Sequence, residues 1–380
     1  MAKLVYYHPR QNRSKKWIYM LKWKDETGKW RYKNLMHFDE KKAQREASQL
    51  AQRLKSTDDR MRLTELLAED LQRMRTKHAE STLTMTKARM ECLIEAIGNK
   101  YIDDVQYHDC EYFQNWLQEE RALNSYSTNT YVKMVKAVFS RAVKRRWLER
   151  SPFFGLDHVR EPENEIRVYR PEELQALLQA APTVKFVAAV LLARFDGLRR
   201  GEVFNLTVKD VDFSSKRIHV QSKLDTKETW KWVSKSRKRR TLPLPENLAN
   251  VLLMLQMQLP KGQPYLLITP QRYQHLLTLK GAGQLTERVR TCPVERFSAH
   301  FQKIRKKAGL PDGTFHDLRK TCITEWAYRK DLKPQDVRIL AGHGSLSTTM
   351  KYYVAVEKQE LVDRANSLMD LLRVCCAPQN

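Results

Sequence analysis

No run of about 18 consecutive apolar residues occurs in this 380-residue chain, which argues against a transmembrane helix. The opening Met1-Ala2-Lys3-Leu4 lacks the apolar core of a signal peptide, so cytoplasm or nucleoid is the expected address. The six cysteines (Cys92, Cys110, Cys292, Cys322, Cys375 and Cys376) show neither a CxxC pair nor a Cys/His zinc spacing. They read as thiols of a reducing compartment, with no structural metal and no cofactor implied. Internal repeats and low-complexity tracts are also missing. Acidic residues are in short supply, 44 against 69 Lys plus Arg, which leaves a net charge of +25 and a pI near 9.8. Such an excess suits a polyanionic partner, because lysines and arginines displace the counterions condensed on DNA or RNA. It names a partner class and no activity, since a ribosomal or chromatin protein would fit equally well.

The excess is uneven. Residues 1–60 carry net +9, residues 61–165 net −1 and residues 166–380 net +17. The first stretch reads as a small β-plus-helix module. Trp17, Tyr19, Leu21 and Trp23 alternate with Ile18, Met20, Lys22 and Lys24, the period of a half-buried strand. Asp25-Glu26-Thr27-Gly28 reads as a turn, and Lys29 to Leu35 returns as a second strand with Trp30 and Tyr32 on one side. Leu4 to His8 offers a third strand. Asp39 then opens a helix whose buried stripe is Ala43, Ala47, Leu50, Ala51 and Leu54. Lys22, Lys24, Arg31 and Lys33 make either a ribbon fit for a major groove or a solvated basic hairpin.

Residues 56–62 read as a linker, and 63–160 as helical throughout, with helices at Thr64–His78, Thr84–Ile97, Asp109–Arg121 and Ser127–Trp147. The last carries Lys133, Lys136, Arg141, Lys144, Arg145 and Arg146 with no acid among them, a face for phosphates or simply for water. Glu161-Pro162-Glu163-Asn164-Glu165 reads as a second linker. Beyond it, a helix opens at Pro171 and an apolar one runs from Val184 to Phe195. Arg217–Gln221, Thr229–Val233 and Arg240–Leu244 look like strands of a small sheet. Helices resume at Pro245–Gln258, Val294–Ala308, Leu318–Arg329 and Pro334–Ala341. The expected fold class is mostly α with small β-sheets (α+β) in several domains. These are a β-hairpin/helix module over 1–57, an all-helical domain over 63–160 and a mixed α/β domain over 166–380.

Three short texts stand out in the last region: Gly197-Leu198-Arg199-Arg200-Gly201-Glu202, Phe315-His316-Asp317-Leu318-Arg319, and Gly342-His343 followed by Tyr352-Tyr353. Each alone is common. In this order and at these gaps they are specific, and together they resemble the tyrosine recombinase (phage integrase) family. There the first arginine sits in a GLRxxE box, matched by Arg199 and Glu202, and the second in HxLR, matched by His316 and Arg319. A Gly-His pair precedes the nucleophilic tyrosine by nine residues, which selects Tyr352 over Tyr353. The catalytic lysine is expected in a turn eight residues before the proline of an RxxP strand. Arg240-Thr241-Leu242-Pro243 supplies that strand and Lys235 the lysine, although Lys223, Lys227 and Lys238 stand close enough to compete.

The resemblance implies a DNA-cleaving and rejoining enzyme, an integrase of a phage or other mobile element. Arg199 and Arg319 would clamp the phosphate oxygens, Tyr352 would attack phosphorus, and Lys235 would protonate the leaving oxygen. His316 would accept the tyrosine proton or bond the phosphate, His343 would donate to it, and Glu202 would orient its neighbours. The implied partners are double-stranded DNA at attachment or crossover sites and three further copies of the chain in a homotetramer, with DNA-bending and directionality factors beside them and no membrane. The N-terminal module resembles an arm-site DNA-binding domain, the helical region a core-binding domain, and Gln359–Val374 a docking helix. A type IB topoisomerase-like nicking-closing enzyme shares the residues, and a DNA-binding protein that keeps the fold without the chemistry is the non-enzymatic alternative.

Overall fold

The computed structural model describes residues 6–11, 16–24, 29–53, 60–162, 166–235 and 238–354. The chain divides into two compact units, Met1–Pro162 and Glu163–Asn380. The described residues are mostly helical, with two antiparallel three-stranded sheets.

In the first unit β1 (Tyr6–Gln11), β2 (Trp17–Lys24) and β3 (Trp30–Asn34) lie side by side in chain order. The odd residues of β2 face helix α1 (Glu40–Arg53), so Tyr19 and Leu21 bury against Leu35, Ala43 and Ala47. The Asp39 carboxylate caps that helix by accepting the Lys42 N–H at 3.0 Å. Lys22 points the other way, its ammonium 4.2 Å from the centroid of the Trp30 ring. The register pairs Lys22 with Tyr32, but Arg31 with Trp23 and Lys33 with Leu21. The basic residues of the ribbon are therefore split between its faces, because a strand turns successive side chains to opposite sides. Leu4, the Asp25–Gly28 turn, the side chains of Ala51 and Leu54, and most of the 56–62 linker lie outside the described residues.

Four helices follow: α2 (Leu63–Met74), α3 (Glu80–Ile97), α4 (Tyr107–Glu119) and α5 (Ser125–Lys144). Their apolar faces meet in one core of Leu63, Leu66, Met90, Leu93, Phe113, Leu117, Val135 and Phe139. One acid sits inside it. Asp70 is 0% exposed and accepts hydrogen bonds from Arg141 and Arg145, at 2.8 Å from Arg145 Nη1. Two of the six basic residues in and just after α5 are thus held by a buried carboxylate on α2, an acid that the text of this stretch alone does not reveal. Burial pushes the Asp70 pKa up, but the hydrogen bonds and charges of Arg141 and Arg145 outweigh it and hold the carboxyl below its ordinary value.

The second unit opens with α6 (Pro171–Gln179), α7 (Val184–Phe195) and α8 (Arg200–Phe204). A small sheet comes next, β4 (Val211–Asp212), β5 (Arg217–Val220) and β6 (Arg240–Pro243), paired in that order. The rest is helical: α9 (Glu246–Met257), α10 (Pro270–Gly281), α11 (Glu287–Thr291), α12 (Phe297–Lys307), α13 (Phe315–Tyr328) and α14 (Pro334–Ala341). Residues 346–354 are helical as well. Apolar on nearly every side, α7 becomes the central helix and packs on α13 and α9. Its neighbours Phe297, Phe301, Phe315 and Leu318 complete the core.

Two expectations need correction here. Thr229–Val233 is not a strand; it touches the rest of the hairpin through a single bridge, Lys223 to Trp232. Trp230 and Trp232 instead leave the sheet for an aromatic cluster, where Trp230 stacks on Tyr265 at 4.1 Å between centroids. Helices α10 and α11 also went unforeseen. Buried residues in α10 are only Tyr273 and Leu276, and α11 has none, too few to print a helical stripe. Glu163–Glu165 of the second linker and the docking segment Gln359–Val374 lie outside the described residues.

Asp70→Asn keeps the shape of the side chain and removes the charge. Hydrogen bonds to charged groups contribute about 1.5–3 kcal/mol, so the variant should unfold its helical unit measurably earlier in urea or on heating. An unchanged transition would show that the pair contributes nothing.

Candidate active site

The three texts converge because each sits at the end of a packed helix. Gly197-Leu198-Arg199 forms the turn from α7 into α8. Gly197 has φ +59, which favours glycine, and a Cβ there would come within 3.3 Å of the Trp326 ring, so a larger residue would have to push that ring aside. Glu202 caps the short helix it belongs to, accepting the Arg199 backbone N–H at 2.8 Å. His316 and Arg319 lie on the first turns of α13, which Asp317 caps by accepting from the Thr314 N–H and hydroxyl. Gly342 ends α14 in the left-handed region, φ +64, and releases the chain into His343.

The arginines tie these ends together. Arg319 is 2% exposed and donates to the carbonyls of Gly197 and Ala341. Half-buried Arg199 donates to the Gly342 carbonyl at 2.8 Å and to Glu202 Oε1 at 3.0 Å. A guanidinium has five N–H donors, so each arginine keeps some beyond those spent on these contacts. A third arginine joins them. Arg240, at the start of β6, donates to both oxygens of Glu202, at 2.9 and 2.6 Å. In the sequence it had served only to mark the RxxP strand. An arginine at an inward strand position was the signal that could have singled it out.

Charge and burial set the titrations. Burial would push the Glu202 carboxyl up, but the Arg240 hydrogen bonds and the charges of Arg240, Arg199 and Arg319 hold it down at about 2. Burial and the positive neighbours Arg319, Arg199 and Arg240 lower the His343 pKa to about 4. His316 is also lowered, by partial burial and by the charges of Arg319 and Lys320, although its side chain is exposed and solvent weakens the effect. Both imidazoles are therefore neutral at pH 7. His343 Nδ1 lies 2.9 Å from the Thr349 hydroxyl, which fixes its ring.

Tyr352 stacks on that ring, 5.9 Å between centroids and 20° between planes. Burial raises its pKa, while Arg319, Lys320 and Arg199 pull the other way. Tyr353 is differently placed: its hydroxyl lies 3.5 Å from the Leu332 carbonyl, and the charge felt there is that of Asp336. Lys235 stands exposed in the turn before β6, with no hydrogen bond to the arginines among the described residues. Of its rivals, Lys223 is engaged elsewhere, held by the buried Asp210 at 2.7 Å, whereas Lys227 and Lys238 are exposed. A cavity of about 320 Å³ opens beside His316, walled by Leu198, Arg200, Ser298 and Gln302. Among the described residues no group of three or more His, Cys, Asp or Glu is placed to hold a metal ion.

The histidine shifts predict a pH dependence of stability. Between about pH 6.5 and pH 4 an unfolded imidazole takes up a proton that folded His343 refuses, so stability should fall as the pH drops through that window. Glu202 adds a second loss only below about 4.5, as the pH approaches its folded value of about 2. In His343→Gln, the fall in thermal midpoint between pH 6.5 and 4 should be shallower than in the native chain. An equal slope would mean that this ring titrates as it does in water.

Comparison with known proteins gives the same fold. Residues 62–158 match the phage integrase SAM-like domain, and residues 167–360 the phage integrase family. A tyrosine recombinase XerC-like protein of Caldanaerobacter subterraneus is 27% identical over 260 residues, covering 62% of this chain and 64% of that relative. The transposase from transposon Tn916 of Enterococcus faecalis is 25% identical over 307 residues, 73% of this chain and 70% of the relative. Among solved structures, the Tn1549 transposon integrase in complex with transposon right end DNA superposes with a TM-score of 0.59 at 19% identity, over 80% of this chain and 100% of that one. A lambda integrase dimer bound to a COC' core site gives 0.57 at 16% identity, over 91% of this chain and 94% of that one. Since the catalytic-region match takes in just over half of its residues, the chain belongs to the phage integrase family of tyrosine recombinases.

Proposed function

We propose that this chain is a site-specific recombinase that cleaves and rejoins double-stranded DNA through a 3′-phosphotyrosyl bond to Tyr352, integrating or excising a mobile element. The observation that carries the reading is the grouping of Arg199, Arg319 and His343 around one tyrosine, with His316 beside Arg319 and guanidinium donors to spare. The arginines' free donors would hold the non-bridging oxygens of a phosphodiester, where a single well-aimed donor contributes about 10²–10³ in rate. Tyr352 Oη attacks phosphorus, the bond from phosphorus to the 5′-oxygen breaks, and the phenol proton passes to neutral His316. His343 donates an N–H to a phosphate oxygen. Lys235 delivers a proton to the departing 5′-oxygen, for which the exposed turn must close onto the bound DNA. The phosphotyrosine keeps the bond energy, so a second 5′-hydroxyl can displace the enzyme without ATP.

The same reading assigns residues 1–57 to a separate arm-site DNA contact, 63–160 to core binding, and 166–380 to catalysis. It makes the working form a homotetramer on synapsed DNA, assisted by bending and directionality factors, in a cytoplasmic, nucleoid-associated setting.

A nicked suicide substrate loses the short strand that reverses the reaction, so the covalent complex should accumulate, and should do so in EDTA. Tyr352→Phe should bind DNA normally and trap nothing, whereas Tyr353→Phe should still trap. Peptide mapping that placed the DNA on Tyr353, or an absolute need for magnesium, would overturn the assignment. Lys235→Ala should slow cleavage by orders of magnitude, and a substrate with a 5′-bridging sulfur, whose leaving thiolate needs no proton, should largely restore it. Rescue of Lys227→Ala or Lys238→Ala in its place would move the general acid to that residue. Relaxation of any supercoiled plasmid, irrespective of its sequence, would favour the topoisomerase-like activity.

A further inference from the structure

Strand β6 turns Arg240 and Leu242 inward and Thr241 and Pro243 outward. A charged side chain on the buried face of a strand is costly, because its desolvation is repaid only by close, well-aligned partners. Arg240 is 5% exposed, and its Nε has no hydrogen-bond partner. Both of its terminal nitrogens go to Glu202. Glu202 in turn is shared: Oε1 accepts from Arg240 at 2.9 Å and from Arg199 at 3.0 Å, while Oε2 accepts from Arg240 at 2.6 Å and from the Arg199 backbone at 2.8 Å. The other side of the guanidinium lies against Gly342, where a Cβ would fall 2.9 Å from Nη1 and 3.2 Å from Cζ.

Two consequences follow from this packing. With Arg240 present, Glu202 can give the Arg199 side chain only one oxygen, the one it already shares. Without it, Oε1 is left to the Arg199 side chain alone and Oε2 keeps only the Arg199 backbone N–H, so a two-pronged ion pair with Arg199, the nearest remaining cation, would draw its fork away from any other anion. Arg240 also fixes how closely the Gly342-His343 turn can approach β6, and Gly342 is the residue whose carbonyl Arg199 holds.

We propose that Arg240 is a positioning residue for phosphoryl transfer, which occupies Glu202 so that Arg199 stays available to phosphate and seats the Gly342-His343 turn. The proposal rests on the recombinase reading above. It assigns Arg240 no contact with DNA.

The test uses the full-length chain and a nicked suicide substrate, measuring DNA affinity and the rate of covalent trapping separately. Arg240→Met should leave DNA affinity within about 2-fold and slow trapping about 100-fold, the loss expected when a transition-state donor is misaimed. Arg240→Lys restores a cation without the fork and should recover part of the rate. The telling variant is Arg240→Met combined with Glu202→Gln. A neutral amide no longer captures Arg199, so trapping should rise at least about 10-fold above Arg240→Met alone, although a second buried contact has been removed. If Arg240 were only a structural strut, the double variant would be the slower of the two, and affinity, stability and rate would fall together; that pattern overturns the proposal. Should Arg240→Met fail to fold, Arg240→Lys trapping at the native rate would overturn it equally. Trapping by the native chain but undiminished trapping by Arg240→Met sinks this inference alone. If the native chain traps nothing, the recombinase reading falls and takes this inference with it.

Discussion

Like charges packed under one carboxylate govern the second unit. Arg199, Arg240 and Arg319 surround Glu202, and two unit charges 4 Å apart at an effective dielectric constant of about 20 interact by roughly 4 kcal/mol. One carboxylate cannot neutralise three guanidiniums, and backbone dipoles solvate part of the excess: the carbonyls of Gly197, Ala341 and Gly342 all accept from arginine. Ala341 and Gly342 close α14, where their carbonyls have no partner within the helix, and Gly197 lies in the turn between α7 and α8. The arginines thus tie the end of α14 to that turn. Burial, with the positive charge of these arginines beside it, lowers the pKa of both histidines.

That cluster depends on elements distant from it in the chain. Glu202 sits on α8, only five residues long, and α8 is braced from outside by Asn205. The Asn205 amide donates to the carbonyls of Gly201 and Arg290, and its oxygen accepts from the Trp230 indole at 3.1 Å. Trp230 belongs to the loop that leads into Lys235. The aromatic cluster of Trp230, Trp232, Tyr265 and Tyr273 therefore fixes one root of the lysine turn, and β6 fixes the other. In the first unit Asp70 plays a simpler part: it draws Arg141 and Arg145 inward and leaves Lys133, Lys136, Lys144 and Arg146 as the basic residues in and just after α5 not tied to it.

The sequence by itself determined the helical architecture wherever an apolar side is continuous, as in α7, and, through their resemblance to the tyrosine recombinase boxes, it marked GLRxxE, HxLR and Gly-His as candidates for one site. Gly197 and Gly342 sit in two of these texts, and both take a positive φ with a tryptophan ring or a guanidinium close to where a Cβ would stand. Tertiary structure alone decided who pairs with whom. Arg240 and Glu202 are 38 residues apart and Arg141 and Asp70 are 71 apart, and no local pattern records which buried cation meets which carboxylate. The same holds for Thr229–Val233, whose alternation suits a strand equally well, until Tyr265 offers its tryptophans a better surface than the sheet does. Periodicity reports which side of an element is apolar. What lies opposite that side is set by the packing of the whole unit, and there the choice between a basic face and a buried ion pair is made.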